Sequence, residues 1–327
     1  MSDHGGSSDL PAMPVENPYA VTETSRNPAK PDESIRLRVW PCFVAMAAAM
    51  SAAIGSQIIV VLLLFAIRSG NGESLQETTT SLPEMLTQPQ WIIGLGLLSQ
   101  LPIIAAAVIA AWLSPSESFR QRLKLNPTGW SFHKYVTITL SVIFPGAIGM
   151  LLAGALTFLI PPDESVAMLY ENMTVAWAVP FLLFISLAPG FGEEFLFRGY
   201  VQGRFLKRWS PMTSIIVSSI IFGVFHIMPH AVLFATVVGF WLGYVAWKAD
   251  SIWPTIICHA FLNGAWNILN LSMQFTGMTD SVYYGICGGL TLIGLIAFAL
   301  SFRILGSTPP TGAAALPQTQ SEFSLPE

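Results

Sequence analysis

AVPFLLFISLAPGFGEEFLFRGY, residues 178–200, is apolar as far as Phe191 and then sets Glu193, Glu194 and Arg198 into the same run. A stretch of this kind is either membrane span or bundle core, and a charge at the centre of a bilayer costs roughly 3 kcal/mol. The whole chain decides for the membrane. Its 327 residues are 53% hydrophobic and 10% charged, with a mean hydropathy of +0.58, against about 25% charged residues in a soluble domain. The expected fold class is an all-α polytopic membrane protein. The net charge of −4 leaves no basic stripe to meet phosphates and excludes a nucleic-acid partner. Cys42, Cys258 and Cys287 fall in apolar runs without metal-type spacing, as small core residues do.

Working outward, apolar runs of about 18 residues or more mark spans. Eight are expected, at approximately 40–68, 91–114, 134–160, 174–200, 212–228, 231–248, 252–271 and 281–304. Fifteen Lys and Arg residues test that count. All but Arg68 and Arg198 fall on one side of an eight-span arrangement, while Glu73, Glu77, Glu84, Asp163, Glu164, Glu171 and Asp280 fall on the other. The positive-inside rule makes that basic side, with both termini, cytoplasmic. Residues 1–34 and 306–327 are polar and rich in Pro, Ser and Thr or Ala, too poor in apolar surface to offset ordering entropy, and read as disordered tails. No signal peptide is expected at the start. Between the tails lie spans one to three over 35–173, a core of spans four to seven over 174–272, and span eight over 273–305. The small residues of AAAMSAAIGS and GLGLLSQLPIIAAA allow helices to pack closely, and Pro189-Gly190 is expected to bend or locally unwind span four.

Ionisable residues inside spans are expensive and usually functional. Besides Glu193, Glu194 and Arg198 there are His226 in span five and His259 in span seven, with Asn263 one turn after it. At a helical rise of 1.5 Å, Glu193 lies roughly 16 Å, His226 roughly 20 Å, His259 roughly 13 Å and Asn263 roughly 20 Å from the cytoplasmic ends of their spans. Three helices thus bring their polar groups to one layer. Glu194 and Arg198 stand at i, i+4 with the acid first, the favourable order for a pair, and are expected to form a structural ion pair. Glu193 is rotated about 100° away and is the carboxylate left for chemistry. His259 and Asn263 share one helix face.

A carboxylate beside an imidazole can hold a water and accept its proton. Imidazole and carboxamide donors can stabilise the oxyanion formed when water attacks an amide carbonyl. Glu193, His226 and His259 equally suit a divalent metal such as zinc with an open position for water. Both routes end in hydrolysis of a peptide bond, and the residues alone leave both open.

Glu193-Glu194-x-x-x-Arg198, Phe222-x-x-x-His226 and His259-x-x-x-Asn263 together resemble the three motifs of the CAAX protease and bacteriocin-processing family, which includes CAAX-processing type II endopeptidases and Abi-type proteins. The resemblance covers roughly residues 174–272. It implies an intramembrane endopeptidase with a cavity open to the cytosol, in which Glu193 and His226 activate water, His259 and Asn263 stabilise the oxyanion, and Glu194 with Arg198 hold the site together. It implies either a metal such as zinc or a metal-independent glutamate mechanism, and membrane-associated or lipidated proteins or peptides as substrates in a lipid bilayer, here a bacterial cytoplasmic membrane. Two other classes are open to the same residues: a non-catalytic immunity or scaffold protein, and a proton-coupled transporter using midplane carboxylates and histidines.

Overall fold

The computed structural model describes residues 38–114, 117–162 and 165–306, without the side chains of 165–167. The expected tails lie outside the described residues, save Gly306. Every regular element among the described residues is a helix. In order these are α1 (Trp40–Gly70), α2 (Leu75–Leu86), α3 (Pro89–Leu113), α4 (Phe119–Arg122), α5 (Phe132–Ser141), α6 (Ile143–Leu156), α7 (Ser165–Glu171), α8 (Val175–Glu194), a π-helical segment (Phe195–Gln202), α9 (Gly203–Phe205), α10 (Pro211–Val224), α11 (Pro229–Ala249), α12 (Trp253–Thr276) and α13 (Asp280–Gly306). Proline near the first position opens α1, α3, α10, α11 and α12, where its missing N–H has no intrahelical partner to lose. The polar connection after the first span is itself partly helical. Ser74 and Glu77 form a reciprocal capping box that starts α2.

Helices occupy all eight of the stretches expected to span, but among the described residues six are long and apolar enough to cross a membrane: Trp40–Gly70, Pro89–Leu113, Phe132–Leu156, Val175–Phe205, Pro229–Ala249 and Asp280–Gly306. The other two fall short for separate reasons. Helix α10 has 14 residues, about 21 Å of rise against a hydrocarbon core of about 30 Å, because the chain turns at Phe225–Met228. Helix α12 is long, but His259, Asn263, Asn267 and Asn270 dilute its apolar character.

Arg38, Lys124, Arg204 and Lys207, all expected on one side, lie in contacts between helix ends. Arg204 donates from Nε to the Arg38 carbonyl at 2.7 Å and from Nη1 to Ser114 Oγ at 3.0 Å. Lys207 pairs with Glu117. The Ile252 N–H donates to the Lys124 carbonyl at 3.0 Å, and Asn126 Nδ2 to the Asp250 carbonyl at 3.3 Å. These bonds tie the start of α1, the end of α3, the end of α9 and the α11–α12 turn together. Arg68, at the far end of α1, pairs instead with Glu73 at 3.1 Å.

Helix α1 leaves Ile58, Leu62 and Leu63 more than half exposed, a face that suits lipid and not water. Its opposite face carries Ala45, Ala49 and Ala53, all buried, toward α3, which contributes Ala107 and Ala111. These small residues let the two helices close on each other and on Leu196, Phe197, Val201 and Phe205. A second cluster joins Ile138, Trp241, Leu242, Cys258 and Leu262 from α5, α11 and α12. Cys42 and Cys258 are buried and Cys287 half-buried; all three are free thiols.

Candidate active site

Helix α8 carries the site's acids, and it remains α-helical through Pro189 and Gly190 as far as Glu194. The expected local unwinding at Pro189-Gly190 is not found there. A proline removes the hydrogen bond to the carbonyl four residues back, which is that of Ile185. Asn263 Nδ2 of α12 donates to this carbonyl at 3.1 Å, so a neighbouring helix satisfies the group that the proline leaves unpaired. One N–H of the Asn263 amide is thereby committed to the backbone of α8; the second is left for other work.

The irregularity comes one residue after the acids. Phe195–Gln202 is π-helical, a form that clusters at functional sites. From it Arg198 Nη2 donates to the Gly239 carbonyl at 3.3 Å and Gln202 Nε2 to the Gly243 carbonyl at 2.7 Å. A Cβ on Gly243 would stand 2.8 Å from Gln202 Oε1, so this contact requires glycine on α11. Arg198 also lies 4.0 Å above the Phe222 ring, a favourable place for a buried cation.

Glu194 and Arg198 form the expected ion pair. Arg198 Nη1 donates to Glu194 Oε1 at 3.0 Å, with both side chains buried. The same oxygen accepts from His259 Nδ1, also at 3.0 Å. A carboxylate oxygen accepts, so Nδ1 carries the hydrogen and Nε2 is the free face of His259. Glu194 thus orients a histidine as well as offsetting an arginine, which i, i+4 spacing alone does not reveal. His259 Nε2 points toward Glu193 Oε2, 3.9 Å away. Glu193 Oε2 is buried and accepts no hydrogen bond, while Oε1 accepts from Gln100 Nε2 at 3.3 Å.

His226 follows the last turn of α10. Its Nδ1 meets the Phe222 carbonyl at 3.0 Å; a carbonyl only accepts, so Nδ1 donates and Nε2 keeps a lone pair. The next residue, Ile227, has a φ of 62°, a left-handed conformation that a β-branched side chain adopts only under constraint and that concentrates at functional sites. Glu193 and His226 line one cavity of about 200 Å³, with Gln57, Ser99 and Gln100 as its other polar groups and Phe197, Phe222 and Phe225 among its apolar ones. Its volume is that of several waters, at about 30 Å³ each.

The structure therefore places Glu193 beside His259 and in one cavity with His226, joins Glu194 to Arg198 and His259, and sets Asn263 against the Ile185 carbonyl. Among the described residues no group of three or more His, Cys, Asp and Glu side chains is placed to hold a metal ion. Glu193, His226 and His259 as arranged do not fit one. Gln100 is the site residue that sequence reasoning missed. Its signal was available, an amide in the middle of an otherwise apolar span, but an uncharged side chain is passed over when only ionisable groups are counted.

A decisive observation sits on the same stretch. Residues 175–265 match the family model for type II CAAX prenyl endopeptidase Rce1-like proteins. The matched segment holds Glu193, Glu194, Arg198, His226, His259 and Asn263, whereas α1 and α3, which wall the cavity, lie outside it. No curated protein and no solved structure matches the chain. With six membrane-length apolar helices, the match supports a multi-pass integral membrane protein similar to the CAAX-type intramembrane endopeptidases.

Proposed function

We propose that the protein is an intramembrane endopeptidase that hydrolyses a peptide bond in a membrane-associated or lipidated protein or peptide. The observation that carries the reading is Glu193: a half-buried carboxylate with one oxygen free of hydrogen bonds that, unlike Glu194, lines a cavity together with His226. Water in that cavity loses a proton to Glu193 as its oxygen bonds to the substrate carbonyl carbon, with His226 Nε2 accepting the water's other hydrogen bond. The oxyanion that results is met by the free amide N–H of Asn263, and His259 adds a donor at Nε2 only as the doubly protonated ring, its Nδ1–H being held by Glu194. Collapse breaks the C–N bond, and Glu193 returns its proton to the leaving amine. Glu194 and Arg198 hold His259 and the π segment in place. We assign the catalytic core to residues 174–272, the basic end of the bundle to the cytoplasmic face of a bacterial membrane, and the chemistry to these side chains without a metal.

The test compares peptide termini in membranes of cells expressing the wild type and Glu193→Gln at equal levels. New termini that appear only with the wild type support the endopeptidase and supply substrates for the purified protein, whose cleavage should survive chelators with less than about a twofold change. Loss on chelation and return with zinc would replace the metal-free mechanism. Identical termini from two folded proteins would turn the reading toward a non-catalytic immunity or scaffold role, and dependence of pH-gradient-driven uptake on Glu193 toward a transporter.

A further inference from the structure

Helix α3 is apolar from Trp91 to Leu113 except at Ser99 and Gln100. Gln100 is only 8% exposed, and a buried amide must find partners or bear the full cost of desolvation. Its Nε2 has one, donating to Glu193 Oε1 at 3.3 Å. The carboxylate only accepts, which fixes the amide's orientation. Its Oε1 is buried without a hydrogen-bond partner and lies against Gly192, where a Cβ would come within 2.7 Å of it. The glycine that precedes the two acids is therefore the space into which this amide fits. Gln100, Glu193 and His226 also line the same cavity.

We propose that Gln100 is a positioning residue for Glu193, supplied by a helix outside the segment that matches the family. Its N–H occupies Oε1, fixes the rotation of the carboxylate, and leaves Oε2 as the oxygen that takes the proton from water. This rests on the reading of Glu193 as the base. Gly192 belongs to the same device, because any side chain there would push the amide away from the acid.

The experiment uses Gln100→Met, which keeps the bulk and removes the donor. With a cleaved substrate in hand, kcat should fall about 10- to 100-fold, the loss expected for one hydrogen bond to a charged group, while KM and the melting temperature stay near wild type. A residue serving only to bind α3 to α8 would lower the melting temperature and leave kcat per folded molecule unchanged, and that result overturns the proposal. Gly192→Ala should lower kcat by a smaller factor. On top of Gln100→Ala, which empties the space, it should cost little more, a non-additivity that marks a shared contact; full additivity counts against it. An infrared readout separates this inference from the endopeptidase reading. The carboxylate stretching band that disappears in Glu193→Gln should shift in Gln100→Met in purified protein without substrate. A shifted band with no Glu193-dependent cleavage removes the endopeptidase and keeps the contact, whereas an unshifted band removes the contact whatever the protein cleaves.

Discussion

Glu193 and Glu194 are adjacent on one helix and have opposite surroundings. Glu194 is fully buried and shares one oxygen between Arg198 and His259, each at 3.0 Å. Glu193 is slightly more accessible, lines the cavity and accepts one longer bond of 3.3 Å from a neutral amide; in both acids Oε2 has no hydrogen-bond partner. A rotation of about 100° along the helix turns one acid into the packed side of the bundle and the other into the cavity. With Oε2 alike in the two, the difference lies in the other oxygen, which meets a guanidinium and an imidazole at Glu194 and a neutral amide at Glu193, and in the cavity that Glu193 lines. The first makes the second tolerable, because Arg198 and His259 add positive or proton-donating character to a layer that holds two acids.

The comparison breaks most visibly at Glu193. Glu193→Gln should fold with a near wild-type melting temperature and lose about 10²- to 10⁴-fold in kcat, the range for removing a general base; single-turnover cleavage by the purified variant measures it, and retained activity would leave the two acids without distinct roles. Arg198→Ala attacks the other side. It strands Glu194 in the bundle and should cost about 3–5 kcal/mol of stability, seen as a collapse in detergent-stable yield. A variant that is made normally and yet is inactive would move Arg198 into the chemistry.

His226→Ala should reduce kcat about 100-fold, near the lower bound for an acid–base partner, with the fold preserved, because the Phe222 carbonyl it releases lies at a helix end. Kinetics on monodisperse protein decide this, and substantial residual activity would sink the role given to its Nε2. Asn263→Ala should cost about 10²- to 10³-fold in kcat, as loss of an oxyanion donor does, and have a separate effect on the stability of α8. It leaves the Ile185 carbonyl unpaired beside Pro189 and should cost about 1–3 kcal/mol. Pairing it with Pro189→Ala, which restores the intrahelical bond, should recover most of that loss in melting temperature. If it recovers none, the bond is incidental.

Much of this was legible in the sequence because charge inside an apolar run has few explanations. Glu193, Glu194, Arg198, His226 and His259 stand out against their neighbours, and helical rise alone brings them to one layer. Helix existence was equally legible, since hydropathy marks each rod. What stayed hidden depends on partners distant in sequence. Gln100 lies 93 positions from Glu193, and nothing local tells a glutamine that aligns an acid from one that glues two helices. The continuity of α8 through Pro189 is supported by Asn263, 78 positions from Ile185, so the local unwinding expected at Pro189-Gly190 is an expectation the bundle overrode. The shortness of α10 follows from a turn whose residues, Phe225 to Met228, are as apolar as the helix before them apart from His226.

The π segment bears on how this chain tolerates changes of length. Phe195–Gln202 sets the angular phase of everything that follows the acids: Arg198 on Gly239, Gln202 on Gly243 and Arg204 on Ser114. Loss of one residue here, Leu196 for example, leaves the hydropathy profile almost untouched and turns the downstream side chains by about 100°. Polar groups matched to particular carbonyls would then face the wrong helices. Volume-conserving apolar substitutions in this stretch should cost less than about 1.5 kcal/mol, whereas insertions and deletions re-aim every polar group beyond them. For this stretch of the core, the number of residues matters more than their hydrophobicity.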